Sequence, residues 1–324
     1  MREQLLAHDR IVTPVIIDEV QKIPALIDEV HWLIENKGMR FILCGSSPRK
    51  LKRSGGNLLG GRAIRYQLFP LAYPEVPEFD LLRALNNGLL PRHYSSSYPR
   101  ALLDSYIGDY LKEEITAESL IRNISGFSRF LEIAAFSNGN IINYNNIARE
   151  CGVKAPSVKE YFNILIDTLI GYFVQPYRKR PKRRVILAPK FYFFDVGIVN
   201  KLLNRNKILP RSELFGSAFE HFIFQQLIAH SHYSGSHYQV TYWRTASQYE
   251  VDFILGDHEV AVEVKGTSFA SAHLLTGLKA IAEEYKFSKL LLVSLDSAPR
   301  KIGNITVLPY EIFLQKLWSG KIIK

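Results

Sequence analysis

Two carboxylates are predicted to face each other across a β-hairpin in the last third of the chain. Residues 250–256 and 259–266 have the apolar character of strands, and only Asp257-His258 separates them, the length of a two-residue hairpin loop. Pairing about that loop places Asp252 opposite Glu263. Such carboxylates have Cβ atoms about 4.5–5.5 Å apart and repel each other. A divalent cation, a proton or a neighbouring cation must compensate, and oxygen ligands at this spacing suit Mg²⁺ or Mn²⁺.

The same pairing assigns the other residues of the hairpin. Glu250 is expected opposite Lys265, beside the two carboxylates. The other face is expected to be wholly apolar, and it consists of Val251, Phe253, Leu255, Val260, Val262 and Val264. A simpler alternative is that Lys265 only neutralises Glu250 and Glu263 in a surface cluster, which would contribute about 0–1 kcal/mol to stability.

Four further elements are predicted to position this hairpin. A helix over residues 216–230, which bears Glu220, and a strand over 238–244 precede it. An amphipathic helix over 270–285 and a strand over 289–295 follow it. The predicted order is therefore helix, three strands, helix and strand.

This order, together with the pattern Asp252…Glu263-Val264-Lys265, resembles the core of restriction-endonuclease-like nucleases. The resemblance implies that Asp252 and Glu263 bind Mg²⁺ or Mn²⁺, that Lys265 assists the attacking water, and that Glu220 is a third acid. Whether cleavage activity is retained stays open, because nuclease-like domains also persist as DNA-binding or structural units.

A second set of residues that could do chemistry lies near the N-terminus. The apolar run Val15-Ile16-Ile17, typical of a strand buried on both faces of a parallel sheet, ends in Asp18-Glu19. The next such run, residues 40–44, leads into Gly45-Ser46-Ser47, and Arg62 follows a glycine pair. At the carboxyl end of a strand, an Asp can hold Mg²⁺ and the next Glu can orient an attacking water. The simpler alternative is an ordinary strand-end cap.

In this order the segments resemble the Walker B strand, sensor strand and arginine-bearing strand of AAA-type ATPases. More narrowly, they resemble a prokaryotic family of AAA-like ATPases with a C-terminal domain of uncharacterised function. The resemblance implies an ATP site in which Asp18 holds Mg²⁺, Glu19 is the acid/base, Ser46 or Ser47 is the sensor and Arg62 is an arginine finger. No GxxxxGK[ST] phosphate loop occurs in the sequence. We therefore expect either a chain truncated relative to that family or one that has lost ATP turnover.

The middle of the chain has the pattern of a winged helix. A helix ending at Gly152 precedes a tight turn and a third helix from Ala155-Pro156-Ser157. The third helix has an apolar stripe of Val158, Tyr161, Phe162, Leu165, Ile166 and Leu169, and Ser157, Lys159, Glu160 and Asn163 are expected to face outward.

A basic hairpin tip is predicted to follow this third helix. Strands Tyr172–Tyr177 and Val185–Leu187 are expected to pair, and the run between them supplies the phosphate contacts expected of a DNA-binding wing. Its six basic residues are Arg178, Lys179, Arg180, Lys182, Arg183 and Arg184. The alternative is a solvated loop held extended by like charges.

The composition and net charge are typical of a folded protein that binds a polyanion. The chain has 324 residues, a net charge of +10 and 47% hydrophobic residues, which excludes disorder as its dominant state. Residues 101–212 hold 17 basic and 10 acidic side chains, which favours DNA as the partner. The alternative is a merely soluble basic surface, and charge alone does not decide between the two. No apolar run approaches the ~18–20 residues of a membrane span, and two cysteines give no disulfide framework. A cytoplasmic protein is expected, and self-association stays open.

The expected organisation is a multi-domain α/β protein. A partial AAA-type sheet without a phosphate loop occupies residues 1–80, a helical connector 81–124, a winged-helix domain 125–212 and a restriction-endonuclease-like α/β domain 213–324. A weaker candidate is a zinc site at His230, His232 and His237.

Overall fold

A computed structural model describes residues 14–45, 62–111, 123–178, 183–205 and 207–323. The described residues form a mixed α/β structure with a two-stranded sheet and an eight-stranded mixed sheet. The helices are α1 (Leu26–Lys37), α2 (Leu81–Asn87), α3 (Pro91–Ser95), α4 (Pro99–Ser105), α5 (Ile124–Phe136), α6 (Tyr144–Cys151), α7 (Ala155–Asp167), α8 (Val196–Leu202), α9 (Glu213–Tyr233), α10 (Thr276–Ala282) and α11 (Tyr310–Trp318). The strands are β1 (Val15–Ile17), β2 (Phe41–Leu43), β3 (Gly171–Pro176), β4 (Lys190–Phe193), β5 (Val240–Arg244), β6 (Glu250–Leu255), β7 (Val260–Val264), β8 (Lys289–Ser294), β9 (Arg300–Ile302) and β10 (Ile305–Pro309).

The N-terminal strands β1 and β2 pair in parallel, as the sequence predicts. The prediction that these strands are buried on both faces is wrong, because Ile16 is 67% exposed and Ile42 is 47% exposed. Successive side chains of a strand point to opposite faces, and the inward ones pack with Ile27 and Val30 of α1. This small sheet therefore buries one face only.

The eight-stranded sheet has the order β4-β3-β5-β6-β7-β8-β10-β9. The pairs β3/β5, β7/β8 and β8/β10 are parallel, and the other four pairs are antiparallel. One sheet thus runs from the aromatic strand β4 to the C-terminal strands.

The predicted end of α6 and the predicted start of α7 are confirmed. Gly152 ends α6 in the left-handed conformation, and α7 begins at Ala155 with Pro156 in its first turn. The first part of the predicted stripe is buried, through Val158, Tyr161 and Leu165 among others. Local signals at the helix ends were sufficient here.

The predicted pairing of Tyr172–Tyr177 with Val185–Leu187 is wrong. Strand β3 pairs instead with β4, with Tyr172 opposite Tyr192, while Val185 forms a bridge to Thr245. All four residues of β4 are buried, so this aromatic strand removes more apolar surface from water than residues 185–187 would.

The C-terminal strands are covered by helices on both faces. Helices α9 and α11 pack on one face in a core that includes Phe222, Phe253 and Leu314. Helix α10 packs on the other face, where Val251 and Leu278 are buried together. The hairpin β6–β7 therefore lies between two helical layers.

One glycine permits the close approach of α10 to β6. A Cβ at Gly277 would lie 1.8 Å from the backbone oxygen of Glu250. We expect Gly277→Ala to lower the free energy of unfolding by about 1–3 kcal/mol or more, because the helix must shift away from the strand. In α9, a Cβ at Gly216 meets nothing within 4 Å, so Gly216→Ala should be neutral or stabilising by up to about 1 kcal/mol. Urea denaturation of the two variants checks this contrast, and equal losses would contradict it.

Candidate functional site

The hairpin register predicted from the loop is confirmed. Phe253 pairs with Val262, and Leu255 pairs with Val260. Asp252 and Glu263 are 5% and 6% exposed, so both carboxyl groups are buried. Oδ2 of Asp252 accepts a hydrogen bond of 2.8 Å from the backbone N–H of Val264, which ties one strand end to the other.

The predicted apolar face of the hairpin is wrong at one residue, Val251, which packs on the opposite side of the sheet from the others. The β5–β6 register shifts between Thr241 and Trp243, where Thr241 is opposite Ile254 but Trp243 is opposite Val251. Such a bulge inserts one extra residue into β6 and interrupts the side-chain alternation. Val251 therefore packs with α10, whereas Phe253 packs with α9.

Lys265 pairs with one carboxylate of the hairpin. Its Nζ lies 2.5 Å from Oε1 of Glu263. Burial disfavours the charge on Lys265, but the negative charges of Asp252 and Glu263 outweigh it and raise the pKa of Lys265. The lysine is thus held as a cation beside both acids.

The predicted pairing of Glu250 with Lys265 is wrong. Glu250 Oε1 lies 2.6 Å from Lys190 Nζ, and its Oε2 lies 3.2 Å from Arg244 Nη1. Arg244 is the β5 partner of Glu250 across the ladder, whereas β7 ends at Val264, before Lys265. Glu250 is therefore neutralised from strands β4 and β5.

Glu263 carries the least satisfied polar atom of the hairpin. Burial and then the charge of Asp252 raise the pKa of Glu263 well above its ordinary value, although Lys265 opposes both. Its Oε2 is buried without a hydrogen-bond partner. A buried oxygen of this kind costs free energy unless a proton or cation satisfies it.

Glu220 approaches this pair from helix α9. Tyr192 donates a hydrogen bond of 2.5 Å to Oε1 of Glu220, and Lys190 Nζ lies 3.7 Å from the same oxygen. Burial and the nearby charge of Asp252 raise the pKa of Glu220 to about 7. The helical acid therefore exchanges a proton near neutral pH.

The protonation of Glu220 predicts how stability depends on pH. The pKa rises from an ordinary value of 4.5 to about 7 on folding, so the folded chain binds more protons between these values. The contribution of Glu220 to stability is therefore greatest below about pH 4.5, falls between 4.5 and 7 by at most about 1.4 kcal/mol per pH unit, and levels off above 7. Urea denaturation across this range should show a shallower decline for Glu220→Gln. Glu213→Gln, on an exposed turn of the same helix, should keep the wild-type slope; an unchanged slope in Glu220→Gln would contradict the assignment.

Sequence reasoning missed Lys190 and Tyr192. Lys190 is 3% exposed, and Glu220, Asp252 and Glu250 raise its pKa although burial opposes its charge. It therefore links the acid on α9 to the acid at the start of β6. The signal in the sequence is a lysine directly before three aromatic residues, in the run KFYF, because a strand this apolar is buried and takes the lysine with it.

Two carboxylates, those of Asp252 and Glu263, are the groups that could bind a divalent cation at this site. Asp252 and Glu263 are buried neighbours, and Glu263 Oε2 is an unsatisfied oxygen. In the part of the chain that the structure describes, no group of three or more His, Cys, Asp and Glu side chains is close enough to hold a metal ion. The donors present fit a Mg²⁺ held by two carboxylates and completed by water, which this ion commonly keeps.

The three histidines of the zinc candidate are engaged with other side chains. His230 Nδ1 lies 3.0 Å from the hydroxyl of Tyr238, and the rings of His232 and His237 contact edge to face. These rings are used in packing and hydrogen bonding, and they form no metal-binding group among the described residues.

The N-terminal candidates are engaged in local interactions. Oδ1 of Asp18 accepts a hydrogen bond of 2.9 Å from the backbone N–H of Glu19, and Glu19 pairs with Lys22 at 3.2 Å. Arg62 pairs with Glu35 of α1. Ser46, with Ser47, lies outside the described residues. Asp18 is placed as a strand-end cap would be, and the ATP-site roles stay predictions.

The basic run is described in part. Lys179, Arg180 and Lys182 lie outside the described residues. Arg178 Nη2 donates to the backbone oxygen of Leu187 at 3.2 Å, and the backbone oxygen of Arg184 accepts from Ala246. DNA contact by these residues stays a prediction.

Arg183 of this run is bound to helix α10 and the turn after it. Its Nη1 donates to the backbone oxygen of Ala280 at 2.8 Å and to Glu284 at 3.0 Å, and Nη2 donates to Glu283. Two carboxylates thus neutralise Arg183, which makes it poorly suited to a phosphate contact.

Comparison with known proteins divides the chain into three matched segments. Residues 2–77 match the family model of an AAA domain. Residues 78–208 and 215–313 match two models described as domains of unknown function, DUF8612 and DUF4143. No helix among the described residues has both the length and the apolar character that a membrane crossing requires.

Two mycobacterial proteins are similar over most of the chain. The uncharacterized protein Rv2008c of Mycobacterium tuberculosis and the uncharacterized protein Mb2031c of Mycobacterium bovis are each 24% identical over 302 residues. The matched region covers 90% of this chain and 67% of each relative. No solved structure matches. The chain thus begins with a segment that is similar to an AAA domain, followed by two segments that match domains of unknown function.

Proposed function

We propose that this AAA-domain protein binds DNA and cleaves it at a Mg²⁺-dependent site formed by Asp252, Glu263, Lys265 and Glu220. The observation that carries the proposal is the buried pair Asp252 and Glu263, in which Glu263 Oε2 has no partner and Lys265 lies 2.5 Å from the other oxygen. A buried pair of acids beside a cation at the end of a hairpin suits phosphodiester hydrolysis better than stability.

Each residue of the site has a distinct role in this proposal. Asp252 and Glu263 would hold the metal, which when bound polarises the scissile phosphate and lowers the pKa of its water. Lys265 stabilises the charge that develops on the phosphate, since both acids keep it protonated. Glu220, with a pKa of about 7, takes up or releases a proton at neutral pH.

The order of elements supports a nuclease-like fold for this region. Helix α9, strands β5, β6 and β7, helix α10 and strand β8 follow each other along the chain. Neighbouring strands β5–β6 and β6–β7 pair antiparallel, and β7–β8 pair in parallel. This arrangement supports the restriction-endonuclease-like core to which the residue pattern is similar.

The middle of the chain supports a DNA-binding winged helix. Asn138 and Ile141, which follow α5, form bridges to β4, and α6 and α7 then lead into the antiparallel pair β3–β4. Three helices with a small antiparallel sheet are what a winged helix requires. The basic run Arg178–Arg184 lies in the connection between β3 and β4, where a wing would contact phosphates.

We also propose that this chain alone does not turn over ATP. It carries an AAA domain, but the sequence has no GxxxxGK[ST] motif to hold the phosphates. An ATP-binding form would need that loop from a longer version of the chain. Phosphate release from ATP in the presence of Mg²⁺ measures this directly.

Plasmid cleavage tests the proposal. Supercoiled plasmid incubated with the protein and Mg²⁺ or Mn²⁺ should become nicked, and chelation of the metal should stop the reaction. Single- and double-stranded oligonucleotides in parallel reactions show the preferred substrate. Intact DNA in every reaction with either metal would contradict the proposal.

A second candidate is a non-enzymatic DNA-binding scaffold. The observation that favours it is the ion pair of Glu263 with Lys265, which compensates one acid without a metal. Under this alternative, reversing the charge of Arg178 and Arg184 should weaken DNA binding, while Asp252→Asn should change nothing measurable with DNA. The two candidates therefore differ in the effect of a single carboxylate.

A further inference from the structure

A cleft of about 570 Å³ lies away from the acid–lysine site. It is formed by residues at the end of α2, around the start of α4, and at the end of α8 with the segment that follows. None of its lining residues belongs to the group Glu220, Asp252, Glu263 and Lys265. Its volume is in the range of about 300–1,000 Å³ that small-molecule sites occupy.

The cleft has a strongly cationic lining. Arg100, Lys201, Arg205 and Lys207 line it, and no carboxylate does so among the described residues. Lys201 pairs with Asp104. No acidic side chain of the described chain pairs with Arg100, Arg205 or Lys207. Three cations around one cleft that pair with no described acidic side chain attract an anion.

Arg205 is partly buried and forms no ion pair with any carboxylate in the part of the chain that the structure describes. It is half-buried, and this burial lowers its pKa. Its backbone N–H donates to the carbonyl of Asn200 at 2.9 Å, which fixes the segment at the end of α8. A partly desolvated guanidinium without a carboxylate is satisfied best by a planar anion or a phosphate.

Asn200 adds a second requirement. Its side chain is 7% exposed, and its Nδ2 donates to the backbone oxygen of Leu85 at 2.6 Å. Its Oδ1 is buried without a hydrogen-bond partner, and Asn200 is one of the residues that line the cleft. Since Oδ1 only accepts hydrogen bonds, an anion without a hydrogen-bond donor does not satisfy it. The ligand must therefore carry a hydroxyl or amino donor as well as negative charge.

We propose that this cleft binds a nucleoside phosphate. The cations would hold the phosphate, Asn200 Oδ1 would accept from a sugar hydroxyl or a base amino group, and Tyr98 would stack on the base. Tyr98 lines the cleft and is 77% exposed, so one face of its ring is available. This cleft shares no residue with the proposed cleavage site, so nucleotide binding can be tested without reference to DNA cleavage.

Calorimetric titration of the full chain with adenosine monophosphate, ribose 5-phosphate and inorganic phosphate tests the proposal. We expect the affinity to fall in that order. Arg205→Gln should weaken the binding of adenosine monophosphate about tenfold, the ratio that corresponds to ~1.4 kcal/mol, and Lys207→Gln should weaken it in the same direction. Tyr98→Ala should affect adenosine monophosphate but not ribose 5-phosphate. Arg65→Gln, an exposed arginine outside the cleft, should bind like the wild type.

Three results would overturn the proposal. The first is the absence of binding by adenosine monophosphate at millimolar concentration. The second is equal affinity for inorganic phosphate, because the cleft would then be a simple anion site. The third is displacement of the nucleotide by a single-stranded oligonucleotide whose affinity grows with length, because the cleft would then be part of a DNA channel.

Discussion

Asp252→Asn should reduce the rate of metal-dependent DNA cleavage by at least about a hundredfold. The substitution keeps the size of the side chain and an oxygen that accepts from the Val264 N–H, but it removes the negative charge that holds the metal. Loss of a group that only supports a metal ligand costs about 10–100-fold, so loss of a ligand itself should cost more. Plasmid nicking under single-turnover conditions measures the rate.

A matched variant on the same hairpin separates charge from structure. Asp257 lies in the loop between β6 and β7, with its side chain 64% exposed. Asp257→Asn should cleave DNA at the wild-type rate, and both variants should bind DNA with wild-type affinity in a gel-shift assay. Equal cleavage rates for Asp252→Asn and the wild type would show that Asp252 does not take part in DNA cleavage.

Lys190→Met should lower the free energy of unfolding by about 1.5–3 kcal/mol, because the partly buried Glu220 and Glu250 lose a charged hydrogen-bond partner, while Glu250 keeps Arg244. Lys190 Nζ lies 2.6 Å from Glu250 and 3.7 Å from Glu220, and methionine fills the space without the charge. The double substitution Lys190→Met/Glu250→Gln should recover part of this loss, which a double-mutant cycle in urea quantifies.

The exposed Lys159 of α7 is the control for this substitution. Lys159→Met should change stability by about 0.5 kcal/mol or less, as surface substitutions usually do. Similar losses in the two single variants, or no recovery in the double variant, would show that the charge of Lys190 is not what stabilises this region.

Local signals were enough to predict the hairpin and the end of one helix with the start of the next. A two-residue loop between two apolar runs leaves one register, so the pairing of Phe253 with Val262 follows from the sequence. Gly152 and Pro156 mark the end of α6 and the start of α7 for similarly local reasons.

Features that depend on distant parts of the chain were missed. The bulge that turns Val251 toward α10 arises from the register of β6 with β5, and the hairpin alone does not encode it. Lys190 forms an ion pair with Glu250 only because β4, and not residues 185–187, pairs with β3. The exposure of Ile16 in β1 likewise depends on what packs against the small sheet, which three apolar residues in a row do not determine.

Metal binding by the carboxylate pair is the most direct test of the account. Isothermal titration with Mn²⁺ should show one site in the wild type and none in the double variant Asp252→Asn/Glu263→Gln, with nicking lost in parallel. The matched control Asp257→Asn should bind Mn²⁺ like the wild type. Absence of Mn²⁺ binding by the wild type, or unchanged binding by the double variant, would contradict the proposed site.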